Sequence, residues 1–196
     1  MTITKTDILN KALTLVGANP IVSIDDDTEN ARVLKRVYDL SLRSVLSECE
    51  WYFAMTRSLL ALSGDTLAWT EAAWENYIYV RPIAAIRIFS TNHRTAKWRE
   101  EGQYIISDTS GLGVRYSWFI EDTTKYPVFF VDALIDKLCE NVSYYILNSP
   151  SKSQEFKETY LKISLPRAMS VNSQIGIPEY MNDDAWVLAK DGDTYV

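Results

Sequence analysis

Cysteine and histidine are the scarcest chemical resources of this 196-residue chain: two cysteines, Cys49 and Cys139, and one histidine, His93. Two cysteines without CxxC spacing cannot staple a chain of this length, so both read as reduced core thiols. A lone histidine between Asn92 and Arg94 forces any Ser-His-Asp or Cys-His scheme through one turn position. Basic excess is missing too. Twenty Lys and Arg face 26 Asp and Glu, a net charge of −6, the reverse of what a phosphate-binding surface needs. No stretch approaches the roughly 20 apolar residues that span a bilayer, and the N-terminal MTITKTDILNKALTLVG has no apolar run ahead of a small-residue cleavage site. That predicts a protein made in a cytoplasm and outside any membrane. Neither a Walker A loop nor a GxGxxG is present.

What is there suits a folded domain. Apolar residues make up 47% and charged residues 23%, enough for one core with an appendage. Ile8, Leu9, Ala12, Leu13 and Val16 recur at helical spacing, with Thr4 or Thr6 able to cap and Gly17 placed to end the helix. From Thr28 to Cys49 a longer amphipathic pattern runs through Ala31, Leu34, Tyr38, Leu42 and Val45, with Trp51, Tyr52 and Phe53 closing it. The pattern then changes to short β-type runs at Tyr77–Val80, Ala85–Phe89, Gln103–Ser107 and Val114–Phe119, separated by turn residues. Tyr126-Pro127 restarts helix through Phe130, Leu134, Leu138, Val142, Tyr145 and Ile146. A last helix over Ser151–Ala168 would turn Phe156, Tyr160, Ile163 and Leu161 inward, and Pro166 should kink or shorten it.

These patterns predict a mainly α fold: an antiparallel helical bundle with a small inserted antiparallel β-sheet and an extended C-terminal arm. The helical body covers 4–62 and 126–172, the β-rich insertion 64–124 and the arm 173–196. The arm mixes Ile175, Ile177, Trp186, Val187 and Leu188 with Gly, Pro and Asp, too little to fold alone, so these five residues are predicted to bind a partner and to gain order there.

Three constellations could carry chemistry. Asp25, Asp26 and Asp27 invite a calcium loop, but an EF-hand begun at Asp25 needs Gly at its sixth position and Glu at its twelfth, where Asn30 and Arg36 stand. A helix cap fits better, with Asp26 and Glu29 as a capping-box-like pair. Glu48 with Glu50, or Glu100 with Glu101, could supply paired carboxylates, yet sequence neighbours do not converge on one substrate atom without support. Trp51, Tyr52 and Phe53 could stack bases, but their flank is Glu48, Cys49 and Glu50 rather than Lys and Arg, which favours a core plug. No catalytic, cofactor or metal residue is expected.

Four segments together resemble the tail tubular protein A family, the head-to-tail adaptors of short-tailed bacteriophages: ALTLVGANPIVSIDDDTENARVLKRVYD, LSECEWYFAMTRSLLAL, WENYIYVRPIAAIRI and REEGQYIISDTSGLGVRYSWFIEDTTKYPVFFVDALIDKL. They span most of residues 7–140. Glu50 stands where the family often has proline before the tryptophan, and Ala84 or Ala85 where it has aspartate. The resemblance implies a non-enzymatic virion protein that self-associates as a twelve-subunit ring beneath the portal protein. Such a ring continues the DNA channel without binding DNA specifically and presents a platform for the tail nozzle, a tail tubular protein B-like partner. A tail-associated hydrolase using the carboxylates, or a nucleic-acid-binding module, are the alternative readings.

Overall fold

A computed structural model describes residues 3–175. The chain opens with α1 (Lys5–Val16), held by a reciprocal capping box: the Asp7 amide donates to the Thr4 hydroxyl, and the Thr4 amide donates to the Asp7 carboxylate at 2.9 Å. Gly17 ends it at φ 78°, a left-handed conformation that costs glycine little. α2 (Glu29–Glu48) buries Ala31, Leu34, Tyr38, Leu42, Val45 and Leu46 along one stripe. It stops at Glu48, and Trp51 then leads into a short 3-10 turn, Tyr52–Ala54. The aromatic cluster thus lies beyond the helix.

α3 (Val128–Ile146) packs against α1 and α2 through Phe130, Leu134, Leu138 and Val142. Trp51 fills the junction. Its indole N–H donates to the Val45 carbonyl at 2.7 Å, and its ring meets Phe130 edge-on at 5.1 Å, with Phe53 and Tyr126 packed beside it. Burying the indole with its donor satisfied is what lets so large a group sit in the core without a polar penalty.

The last helical stretch runs as α4 (Pro150–Thr159), a π-helical turn (Tyr160–Ser164) and α5 (Leu165–Ser173). Proline deprives the helix of one amide and crowds the carbonyl four residues back. Here the wider π turn absorbs that demand, with the Leu165 amide donating to the Tyr160 carbonyl, and the helix continues past Pro166 to Ser173. The added residue also rotates the face: Tyr160 is buried, but Leu161 and Ile163 point outward, against the sequence expectation. Tyr145 is likewise exposed.

The expectation of a helical bundle with one small sheet is overturned. Among the described residues, helices hold 47% and strands 18%, the latter in two three-stranded antiparallel sheets, so the fold is mixed α/β. One sheet orders β1 (Met55–Leu59), β6 (Gly113–Trp118) and β3 (Ala85–Thr91); the other orders β2 (Tyr77–Val80), β5 (Tyr104–Ser107) and β4 (Trp98–Glu101). They enclose a second core of Tyr79, Ile88, Ile105, Leu112, Val114 and Tyr116, separate from the helical one. β1 begins inside the stretch read as helical body, because MTRSL gains its structure from pairing with β6 rather than from an apolar pattern of its own. β4, WREE, is a polar edge strand with no alternation to reveal it. Past β1 the chain keeps pairing: Leu60 donates to Leu112, and Leu62 bridges Tyr79 of β2, so one continuous segment stitches both sheets together.

Candidate interaction surfaces

Most of the candidate chemical groups are engaged in structural contacts. Asp25 pairs with Lys35 at 2.8 Å, Asp27 pairs with Arg32, and Asp26 accepts the Val22 and Ser23 amides at 2.9 Å each. The cap of α2 is Thr28, whose hydroxyl accepts the Ala31 amide at 3.3 Å, which corrects the assignment to Asp26. The three carboxylates therefore diverge. Glu50 pairs with Arg115, Glu100 with Arg81 at 2.8 Å, and Glu101 with Arg99 at 3.2 Å, while Glu48 is exposed. His93 sits exposed in the turn after β3, offering its carbonyl to Thr91. Burial pushes the thiols of Cys49 and Cys139 up to about 12, far from a thiolate nucleophile. Among the described residues, no three His, Cys, Asp or Glu side chains gather to hold a metal ion.

Three concave or apolar surfaces stand out among the described residues. The first is a groove of about 490 Å³ between α1, α3 and the π turn, with Leu15, Val128, Ile163 and Val171 along it and Lys11, Asp132, Asp136 and Arg167 among its charges. Val128 and Ile163 are 68% and 62% exposed, so the groove carries exposed apolar side chains beside its charges. The π turn creates this groove by turning Ile163 out. Asp136 lies half-buried at its edge, accepting the Ser164 hydroxyl, and desolvation raises its pKa.

The second surface belongs to the β unit, which exposes Leu62, Trp69, Val80 and Ile83. Leu62 and Val80 lie on paired segments, so their exposure is adjacent rather than scattered.

The third is basic. In the β1–β6–β3 sheet, Arg57 lies directly opposite Arg115, which in turn lies opposite Ser90, and Arg87 occupies the same face. Arg87 reaches the carbonyls of Ser47 and Glu48 at the end of α2, and Arg115 reaches Glu50. Arg57 is exposed and makes no ion pair among the described residues. A trough of about 510 Å³ runs between Arg57, Arg115, Ser90 and Asn92 over Gly113. A Cβ at Gly113 would come within 3.3 Å of the Asn92 and Leu59 side chains, so glycine keeps this floor low.

Of the five residues predicted to bind a partner, Ile175 follows α5 and is 50% exposed; Ile177, Trp186, Val187 and Leu188 lie outside the described residues. The arginine trough escaped sequence reading because it depends on the β1–β6 register. Its one visible sign was the shared Arg in MTRSL and GVRYSW. Neither protein-family models nor curated proteins give a match to this chain.

Proposed function

We propose that the protein is a non-enzymatic assembly component, the head-to-tail adaptor of a short-tailed bacteriophage. It binds as a dodecameric ring below the portal protein, extends the DNA channel and carries the tail nozzle in the finished virion. One observation supports this above the others: large apolar side chains stand exposed on two unlike faces, the α1/α3/π-turn groove and the β unit around Leu62 and Val80. A patch repeated on one face would suit a two-fold dimer, whereas unlike faces suit head-to-tail contacts that close into a ring. The arm from residue 173, with Ile175, Ile177, Trp186, Val187 and Leu188, would add a reach to the portal or nozzle. A net charge of −6 suits a conduit through which DNA slides, since like charge keeps phosphates from sticking.

Solution mass tests the reading. The chain alone should be a monomer that the portal templates into a ring, so mixing with the portal ring should yield a complex of ring stoichiometry. Ile163→Asp in the groove should abolish that complex while leaving the monomer folded. A chain that never joins portal, or a ring unaffected by Ile163→Asp, overturns the proposal.

A further inference from the structure

β1 closes one side of its sheet, and its outer edge is open. Among the described residues its sole strand partner is β6, paired from Met55 with Ser117 to Leu59 with Gly113 and without a bulge. The Leu60 amide continues that ladder to the Leu112 carbonyl at 2.9 Å. Successive residues of an antiparallel strand turn their backbone groups to opposite sides, so Thr56 and Ser58 face β6 as Leu60 does, while Arg57 and Leu59 face away. β6 shows the same parity. Gly113, opposite Leu59, donates its amide to the Asn92 side chain at 2.7 Å and accepts the Asn92 amide at 2.9 Å, both on the β3 side. The amides and carbonyls of Arg57 and Leu59 are therefore left over by the sheet. β3, the opposite edge, is interrupted by two bulges, a usual protection against strand addition; β1 has none.

The side chains along this edge select the strand that fits it. Arg57 lies directly opposite Arg115, a like-charge pair that costs stability unless an anion lies near. Among the described residues one carboxylate, Glu50, pairs with Arg115 and none pairs with Arg57. Leu59 continues the same face and is 80% exposed. A strand added antiparallel to β1 would set one side chain beside Arg57 and another, two residues along, beside Leu59. A carboxylate at the first position and an apolar group at the second answer both. A second copy of this edge answers neither, because Arg57 is the middle residue of β1 and two-fold pairing would bring it against itself. A nucleic-acid backbone could neutralise Arg57, but its phosphates only accept hydrogen bonds and leave the edge carbonyls unmet.

We propose that the outer edge of β1 is a docking site for an extended acidic segment of a partner protein. The segment joins the sheet antiparallel to β1, sets a carboxylate against Arg57 at the trough and lays an apolar side chain on Leu59. Main-chain hydrogen bonds to Arg57 and Leu59 supply affinity, and the alternate side chains supply the choice of partner. The inference goes beyond the adaptor reading and stands without it, because it rests on the register and charge of β1 alone.

A synthetic peptide repeating Glu-Thr-Val-Thr, added to the full chain at low salt, tests the inference. It should slow amide exchange at Arg57 and Leu59 about tenfold. Lys in place of Glu in the peptide should abolish the slowing. Arg57→Glu should weaken binding of the Glu peptide about tenfold and admit the Lys peptide, a reversal that loss of folding cannot mimic. N-methylating the peptide at Glu and Val, whose amides would face β1, should abolish the slowing, whereas N-methylating it at Thr should not. Exchange at Arg57 and Leu59 unchanged by the peptide overturns the proposal, as does binding indifferent to Arg57→Glu. Binding that survives methylation at Glu and Val reduces the site to a charge patch and overturns strand addition. Protection of both amides in the chain alone gives the edge to the chain itself or to a second copy, and a short DNA duplex that displaces the peptide through Arg57 gives the trough to phosphate; either result overturns the acidic partner.

Discussion

Arg87 on β3 donates to the carbonyl of Ser47, 2.8 Å away in the last turn of α2. α2 has no basic residue of its own in that turn, so a strand supplies the cation that the helix C-terminus favours. The bulges in β3 on either side of Arg87 and Ile88 make this possible by aiming Arg87 at the helix while Ile88 enters the β core. Arg87→Ala should cost on the order of 1 kcal/mol, a value held down by the residue's exposure. Urea unfolding should show the loss, and Arg87→Lys should recover part of it.

Arg99 on β4 holds a denser charge cluster. Glu71, Glu75 and Glu101 surround it, and the Glu75 side chain is fully buried. One Glu75 oxygen accepts the Glu71 amide at 2.8 Å; the other sits 2.9 Å from Arg99 without hydrogen-bond alignment. Removing the guanidinium strands a buried carboxylate, which costs far more than a surface pair is worth. Arg99→Ala should lower the urea midpoint more than Arg81→Ala or Lys152→Ala, and adding Glu75→Gln should restore much of the loss.

At the start of α2, Thr28→Ala should cost about 1 kcal/mol, as caps do. Asp26→Ala should act separately, by freeing the Val22 and Ser23 amides. Calcium or a chelator should leave the melting temperature of the wild-type chain unchanged. A calcium-dependent rise would contradict the divergence of Asp25, Asp26 and Asp27.

Asp136 gives a pH signature. Its pKa is raised above the ordinary 3.8 by desolvation, partly opposed by the Ser164 hydroxyl. A carboxyl that binds its proton more tightly folded than unfolded makes stability fall as pH rises from 3.8 through the raised value. Below that window both states are protonated and the effect vanishes. Asp136→Asn should therefore raise the melting temperature at pH 7 and leave it unchanged near pH 3, provided the Asn carbonyl still accepts from Ser164.

The helices were legible because their information is local. Thr4, Gly17 and the Ala31-to-Leu46 stripe each act within a few residues, and all three hold in the structure. The four predicted strands, which form as β2, β3, β5 and β6, carry enough β-branched and aromatic residues to show themselves. β1 and β4 do not, since MTRSL and WREE become strands only through partners about 60 and 6 residues away in the chain. Missing them turned two sheets with their own core into one inserted sheet. Pro166 misled for a related reason: its expected kink assumed α geometry upstream, and the π turn at Tyr160–Ser164 changed that geometry. The arginine trough was beyond local reading altogether, being a property of register.

The stitched segment from Met55 to Ser63 also decides how the protein would carry mechanical load. Its near end is anchored by the Trp51 junction, and its far end pairs with β2. β6 makes the same crossing in the opposite direction, from Leu112 in the second core to Ile120 in the helical one, paired to β1 along its length, so tension between the two cores is shared by two backbones rather than carried by one.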